Sequence, residues 1–131
     1  MIQSRLLGTV TGSLYSERGD SEVTWSRRNT TYAYSKLCQT VDVLCVEEGN
    51  IKVRLYRASD ILWAIHPDML PPDIREHLLW VRSQLTRFKP LHNEGSVAAT
   101  LRRIRLSTAK KIAERILLTQ ALTRTFLSGD G

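Results

Sequence analysis

The 131-residue chain has the length of one domain, and its 42% hydrophobic and 24% charged residues match a globular protein, which excludes global disorder. No apolar run approaches the ~20 residues that a membrane helix needs, and the N-terminus lacks the continuous apolar stretch of a signal peptide, so we expect a soluble, cytoplasmic protein. The net charge of +6 comes from residues 82–124, which carry ten Lys or Arg against two Asp or Glu, and this excess favours an acidic partner such as nucleic acid, a membrane surface or an acidic protein.

Residues 1–31 differ in composition from the rest of the chain. Three glycines interrupt them, and the short alternating stretches between predict at most a weak β-hairpin. A single hairpin is marginally stable in water. We therefore predict three parts: an irregular or weakly β N-terminal arm over residues 1–31, a helical domain over residues 32–127 and a frayed C-terminus over residues 128–131.

Apolar residues in the next segment recur at helical spacing and predict a helix over residues 32–47. Its predicted inward side chains are Tyr34, Leu37, Cys38, Val41, Leu44 and Cys45. Gly49 can end this helix, because glycine enters the left-handed conformation freely. Asn50 is a typical N-cap for a second helix over residues 51–65. The short connection predicts that the two helices pack antiparallel.

The two cysteines, Cys38 and Cys45, lie two helical turns apart on this predicted stripe. Two turns separate them by ~10.5 Å along the helix axis, whereas a disulfide requires Cα atoms within ~7 Å. We therefore predict that both are free, buried thiols, as is typical of proteins in the reducing cytosol.

Three further helices are predicted in the C-terminal half of the chain. They are a third helix that starts at Pro71 and Pro72 and ends before Pro90, a fourth over residues 96–106 and a fifth over residues 108–127. Proline suits a first helical turn, where its missing N–H costs nothing, and it stops a helix that precedes it. The whole pattern predicts an all-α fold, a bundle of four to five helices.

The number of helices depends on the segment around Ser107. Ser96 and Ser107 are both typical N-caps, and they predict two separate helices. The alternative is one bent helix, because the interruption at Ser107 and Thr108 contains neither glycine nor proline.

From residue 36 onward, several short motifs resemble those of a set of small bacterial proteins. They are Lys36-Leu37, Glu48-Gly49, Leu70-Pro71-Pro72, Leu85-Thr86, Glu94-Gly95-Ser96-Val97-Ala98-Ala99-Thr100-Leu101-Arg102 and Lys111-Ile112-Ala113-Glu114-Arg115-Ile116. The chain thus resembles small all-helical bacterial proteins of uncharacterised function over residues 36–127. This resemblance implies a helical fold and carries no activity, cofactor or site residue with it.

No sequence pattern predicts catalysis or metal binding. The three histidines, His66, His77 and His92, include no pair at the i, i+4 spacing of a helical zinc site, and the chain has no CxxC pair. It also lacks a glycine-rich phosphate loop and a G-x-S-x-G nucleophile motif. We therefore predict no catalytic residue, no cofactor, no metal and no small-molecule ligand, which is more typical of a binding protein than of an enzyme.

The most distinctive local feature is a run of basic residues in the last two predicted helices. They are Arg102, Arg103, Arg105, Lys110, Lys111 and Arg115. Helical spacing places most of them opposite the apolar stripe, where a basic face either is merely solvated or binds phosphate. The helix–break–helix cadence over residues 99–116 loosely resembles a helix-turn-helix motif. One hypothesis is therefore a nucleic-acid-binding regulator that uses residues 97–127.

Large apolar residues remain after each helix has buried one stripe. They are Tyr56, Trp63, Leu79, Trp80 and Leu118. Because contiguous exposed apolar surface marks interfaces, the leading hypothesis is a non-enzymatic binding or adaptor module that contacts a protein partner or its own copy. Membrane binding is disfavoured, since the fifth predicted helix lacks a single clean apolar face.

Overall fold

The structure is a computed structural model, and it describes residues 26–90 and 94–129. Within these ranges the chain forms helices and no strand. The helices are α1 (Arg27–Val46), α2 (Ile51–Trp63), α3 (Pro72–Leu85), α4 (Ser96–Arg103) and α5 (Leu106–Leu127), with a 3₁₀ turn at Pro67–Met69. The predicted all-α bundle is thus confirmed, whereas the predicted arm lies outside the described residues up to residue 25.

Helix α1 begins at Arg27, five residues before its predicted start, so the end of the predicted arm belongs to the helix. Ser26 is the N-cap, and its side chain accepts a hydrogen bond of 3.1 Å from the Asn29 N–H. The first turn of α1 places a polar residue in the interior. Thr30 is fully buried, and its hydroxyl donates a hydrogen bond of 2.7 Å to the Met69 carbonyl oxygen. An apolar pattern misses this turn because a satisfied threonine takes the inward position.

The buried side of α1 is rotated relative to the predicted stripe. Its buried residues are Thr30, Ala33, Leu37, Thr40 and Leu44. Cys45 is therefore exposed, which corrects the prediction that both thiols are buried, and Cys38 is half-buried; both are free. The rotation is possible because the Thr40 hydroxyl donates to the Lys36 carbonyl oxygen at 2.8 Å, so that this polar side chain can enter the interior.

The connection between α1 and α2 follows the predicted chemistry. Gly49 has a φ of +103°, a conformation that other residues rarely adopt. Asn50 caps α2, and its side-chain oxygen accepts hydrogen bonds from the N–H groups of Lys52 and Val53 at 2.9 and 3.1 Å. The tight turn brings α2 back along α1, and the two helices pack against each other as the predicted hairpin.

Two arginines of α3 hold the connection between α2 and α3. Arg75 donates to the carbonyl oxygens of Pro67 and Leu70 at 3.1 and 3.0 Å. Arg82 donates to the carbonyl oxygen of Leu62 at 3.2 Å and also to that of Ile65. These carbonyl groups lie at the end of α2 and in the loop that follows it; those of Leu62 and Pro67 also accept a backbone hydrogen bond, from the N–H groups of Ile65 and Leu70. The side chains of α3 therefore add to the backbone hydrogen bonding of the preceding segment.

Helix α3 ends at Leu85 and does not continue to Pro90 as predicted. Thr86 is its C-cap, and beyond it the Phe88 N–H donates to the Thr100 hydroxyl oxygen over 2.9 Å. Thr100 lies in α4 and is fully buried. Because this bond satisfies the Phe88 N–H outside a helix, the chain can leave α3 early and turn towards α4.

The chain turns sharply between α4 and α5. Ile104 and Arg105 have extended backbones, with ψ angles of 160° and 157°, so residues 96–127 form two helices. Neither predicted serine N-cap is correct, because Gly95 precedes α4 and Arg105 precedes α5. The Ile104 side chain is buried in the core, and its apolar burial stabilises the break in place of a serine cap.

Helix α5 lies at the centre of the bundle and packs against α1, α2 and α3. Its buried residues are Ala109, Ile112, Ala113, Ile116, Thr119 and Thr123. One flank of α5 faces α1, where Gln120 lies 3.4 Å from the Cys38 sulfur, and the other flank faces α3. Among the described helices, none combines the length and apolarity that crossing a bilayer would require.

Candidate binding surfaces along the α3–α5 seam

The surface where α3 and α5 meet, here called the α3–α5 seam, carries three of the cavities found on the described residues. The two helices run antiparallel, because the start of α3 meets the end of α5 and the end of α3 lies near the start of α5. Helix α5 has 22 residues and is therefore about 33 Å long. Along this length the seam changes from basic to apolar.

A basic pocket of about 230 Å³ opens where the chain enters α5. It is lined by Arg87, Phe88, Arg103, Ile104, Arg105 and Thr108. The guanidinium carbons of Arg87 and Arg103 lie 5.7 and 5.6 Å from the centroid of the Phe88 ring, within the range of cation–π attraction. One aromatic ring thus contacts two cations. The N-terminus of α5 is the positive end of its helix dipole and adds to the positive potential of the pocket.

A middle cavity of about 240 Å³ follows along the seam, lined by Trp80, Lys111, Glu114, Arg115 and Leu118. The Arg115 guanidinium carbon lies 4.2 Å from the centroid of the Trp80 ring. Its Nη1 atom lies 3.4 Å from Nδ1 of His77. Arg115 therefore joins α5 to α3, in addition to presenting charge at the surface.

The structure divides the six predicted basic residues among several environments. Arg103 and Arg105 line the basic pocket, and Lys111 and Arg115 line the middle cavity. Arg102 instead forms an ion pair of 2.5 Å with Glu94. Lys110 is exposed on α5 and lines none of the cavities named here. The six residues therefore do not form one continuous basic face.

Arg87 and Phe88 were not among the predicted site residues, because they fall at the predicted end of the third helix. The structure brings them to Arg103 and Arg105, which lie 16 and 18 positions after Arg87. The early end of α3 and the bond from Phe88 to Thr100 create this proximity. The adjacent Arg87 and Phe88, a basic residue beside an aromatic one at a predicted helix end, are the sequence signal that could have indicated this site.

An apolar groove of about 670 Å³ occupies the far end of the seam. It is lined by Pro71, Pro72, Asp73, Ile74, His77, Leu122, Thr125 and Phe126. Pro71 and Ile74 are buried and form its floor, whereas Leu122 and Phe126 are half-buried and form its α5 wall. None of the five residues predicted as a protein interface lines this groove.

The predicted interface residues lie on more than one surface. Tyr56 and Trp63 line a shallow cavity of about 350 Å³ between α2 and the start of α4, and they are 54% and 40% exposed. Trp80 and Leu118 line the middle cavity; Leu118 is exposed, whereas Trp80 is half-buried and packs against the core. Leu79 is exposed and lines none of these cavities.

Trp63 also shields the guanidinium of Arg82, whose carbon lies 5.2 Å from the centroid of the indole ring. Burial lowers the pKa of Arg82 below its usual range. The ordinary pKa of arginine is so high that the group keeps its charge at neutral pH. Arg82 therefore remains a cation that donates hydrogen bonds to carbonyl groups at and after the end of α2. Trp63 has a structural role through its contact with Arg82, although part of its side chain is exposed.

Within residues 26–90 and 94–129, no three His, Cys, Asp or Glu side chains come together as a metal ion would require. No family model matches the chain, and comparisons with curated proteins and with solved structures found no similar protein. The geometry of the seam is therefore the basis for assigning a function.

Proposed function

We propose that this protein is a non-catalytic helical binding module, and that it contacts a protein partner through the apolar groove. The observation that carries the proposal is an open, mostly apolar groove of about 670 Å³. Exposed apolar surface is costly in water unless a partner covers it. Grooves between helices commonly receive an amphipathic segment of another protein.

The size of the groove favours a short segment of a partner over a second folded copy. Eight residues line it, whereas a stable interface between folded proteins uses about 20–30 residues on each side. Leu122 and Phe126 are one helical turn apart on α5 and line the groove together with Ile74 of α3. This spacing suits the i, i+3 or i+4 anchors of a partner helix.

Site-specific photo-crosslinking in cells tests this proposal. A benzophenone amino acid replaces Phe126 in the groove and, as a matched control, Tyr32, an exposed aromatic residue on α1. We expect a discrete adduct from position 126 that disappears with Leu122→Asp in a protein that retains its helical content. A third probe at Trp63 reports whether the predicted surface between α2 and α4 contacts the same partner.

Three outcomes would count against a partner segment in the groove. They are no adduct from position 126, the same adducts from position 32, and an adduct that survives Leu122→Asp. An adduct of twice the chain mass would instead identify a second copy of this protein as the occupant.

Nucleic-acid binding is the second candidate function, and the basic pocket is the observation that favours it. Its three arginines supply charge for phosphate contacts, and such binding weakens steeply with salt. Fluorescence anisotropy with duplex DNA and single-stranded RNA at ~50 and ~200 mM salt tests it, because each phosphate contact adds to the salt dependence. Absence of binding at the lower salt concentration would eliminate this function.

A further inference from the structure

Three arginines from two parts of the chain line the basic pocket. Arg87 follows α3, whereas Arg103 ends α4 and Arg105 precedes α5. Their like charges repel one another, and a neighbouring carboxylate would normally offset that repulsion. Among the described residues, however, no carboxylate forms an ion pair with any of the three.

The acidic residue closest in sequence is already engaged. Glu94 pairs with Arg102 at 2.5 Å. In the other ion pairs of the described residues, Glu47 pairs with Arg57. Asp68 pairs with both Arg75 and His66. The positive charges of the basic pocket therefore have no ion-pair partner among the described residues, and an anion from outside them can bind there.

Contacts with the core fix the position of Phe88, which lines the basic pocket. Phe88 is half-buried against the core, and its N–H donates to the hydroxyl oxygen of the fully buried Thr100. The ring of Phe88 in turn positions the guanidinium groups of Arg87 and Arg103. An arginine stacked on a fixed ring loses less side-chain entropy when it binds an anion than a freely rotating one does.

We propose that Arg87, Arg103 and Arg105 form a binding site for a phosphate group, with the Thr108 hydroxyl as an additional donor. A phosphate carries up to two negative charges on several oxygens, so that more than one planar guanidinium can bind it at once. A single carboxylate, like a single backbone phosphodiester, has one charge and two free oxygens, so a terminal phosphate or two neighbouring backbone phosphates are needed to pair with the whole cluster. This site is separate from the apolar groove and does not depend on the protein-binding function.

The phosphate has two possible sources, a free polyphosphate or a nucleic-acid backbone, and Phe88 bears on the choice. Arg87 and Arg103 both contact its ring, so a base would have to displace an arginine in order to stack there. The site therefore recognises the phosphate itself and not a particular base.

Titration of the full chain with pyrophosphate tests the site, followed by the Nε–Hε signals of the arginines in NMR spectra. We expect saturable shifts of Arg87, Arg103 and Arg105, and about tenfold weaker binding after the double change Arg103→Gln and Arg105→Gln, because two exposed ion pairs with the phosphate are lost and each contributes only a few-fold. Arg57→Gln is the matched control, since Arg57 is exposed, pairs with Glu47 and lies outside the pocket. Leu122→Asp in the apolar groove should leave pyrophosphate binding unchanged.

Parallel titrations with a short DNA duplex and with single-stranded RNA distinguish the sources. Tighter binding of either polymer that the same double variant abolishes would identify the nucleic-acid backbone, and binding of pyrophosphate alone would identify a free polyphosphate. The proposal is overturned if none of the three probes binds at low salt, or if the Arg57→Gln control loses as much affinity as the double variant. Arg103→Lys gives a second check, because it keeps the charge but loses the planar donor pair, and it should bind with intermediate affinity.

Discussion

The Arg115 guanidinium lies directly over the Trp80 ring, with 4.2 Å between the guanidinium carbon and the ring centroid. This contact crosses from α5 to α3 in the middle of the seam. Arg115 also reaches Nδ1 of His77, one turn before Trp80 on α3. A residue that sequence spacing assigns to an exposed basic face is thus part of the packing between two helices.

We expect Arg115 and Trp80 to be energetically coupled. Replacing Arg115 by Ala should lower the free energy of unfolding by about 0.5–2 kcal/mol, because a partly desolvated cation–π contact is lost. A double-mutant cycle with Trp80→Leu, measured by urea unfolding, isolates the pairwise contribution. Lys110→Ala on the exposed side of α5 is the control. Additive effects of the two changes would show that the contact contributes nothing.

Arg82 should be far more sensitive to substitution than an exposed arginine. Arg82→Leu removes the donor that serves the Leu62 and Ile65 carbonyl groups. We expect a loss of about 1.5–3 kcal/mol, typical of hydrogen bonds from a charged donor. Arg57→Leu breaks only an exposed ion pair of 3.5 Å and should cost less than about 1 kcal/mol. Equal losses in denaturant unfolding would contradict this structural role for Arg82.

Thr100 links the stability of the α3–α4 connection to the basic pocket. Thr100→Val keeps the shape of the side chain but leaves the Phe88 N–H without its acceptor, and we expect a cost of about 1–3 kcal/mol. The same change at Thr119, whose buried hydroxyl only adds a bond to the Arg115 carbonyl oxygen in its own helix, should cost less. Thermal unfolding of both variants measures the difference. A larger loss at Thr119 would refute the assigned role of Thr100.

Two of the glycines at helix boundaries, Gly49 and Gly95, should respond differently to alanine. At Gly49 the φ of +103° is unfavourable for an L-residue, and an added Cβ would lie 3.1 Å from the Val53 side chain. We expect Gly49→Ala to cost about 1–2 kcal/mol. At Gly95 no atom lies within 4 Å of an added Cβ, so Gly95→Ala should be neutral within about 0.5 kcal/mol. Calorimetry of the two variants provides the comparison, and similar Tm shifts would contradict it.

Local chemistry alone determined much of the helical framework. Asn50 and the proline pair at 71 and 72 mark helix starts, and Gly49 marks a turn, because each acts through its own backbone conformation or through a neighbour in sequence. The apolar stripe of α3 also follows from spacing, since Ile74, Leu78, Val81 and Leu85 are all buried. Such features depend on neighbours within one or two turns, and the sequence records them directly.

Tertiary contacts decided where α1 begins and where α3 ends. Thr30 is buried because Met69 supplies its acceptor from 39 positions away, and Phe88 leaves the helix because Thr100 accepts its N–H. An apolar pattern treats both threonines as surface residues. Their burial is favourable only when a partner that is distant in sequence satisfies the hydroxyl group.

Contacts between residues that are distant in sequence also explain why the predicted basic site differs from the observed surfaces. Periodicity placed most of the six basic residues opposite the apolar stripe, but the extended backbone at Ile104 and Arg105 turns α4 away from α5 and divides them. Arg87 joins Arg103 only because the chain folds back after α3, and the apolar groove exists only because the start of α3 meets the end of α5. The sequence by itself determined the helices and the excess of positive charge, whereas the packing of distant segments decided which side chains share a surface.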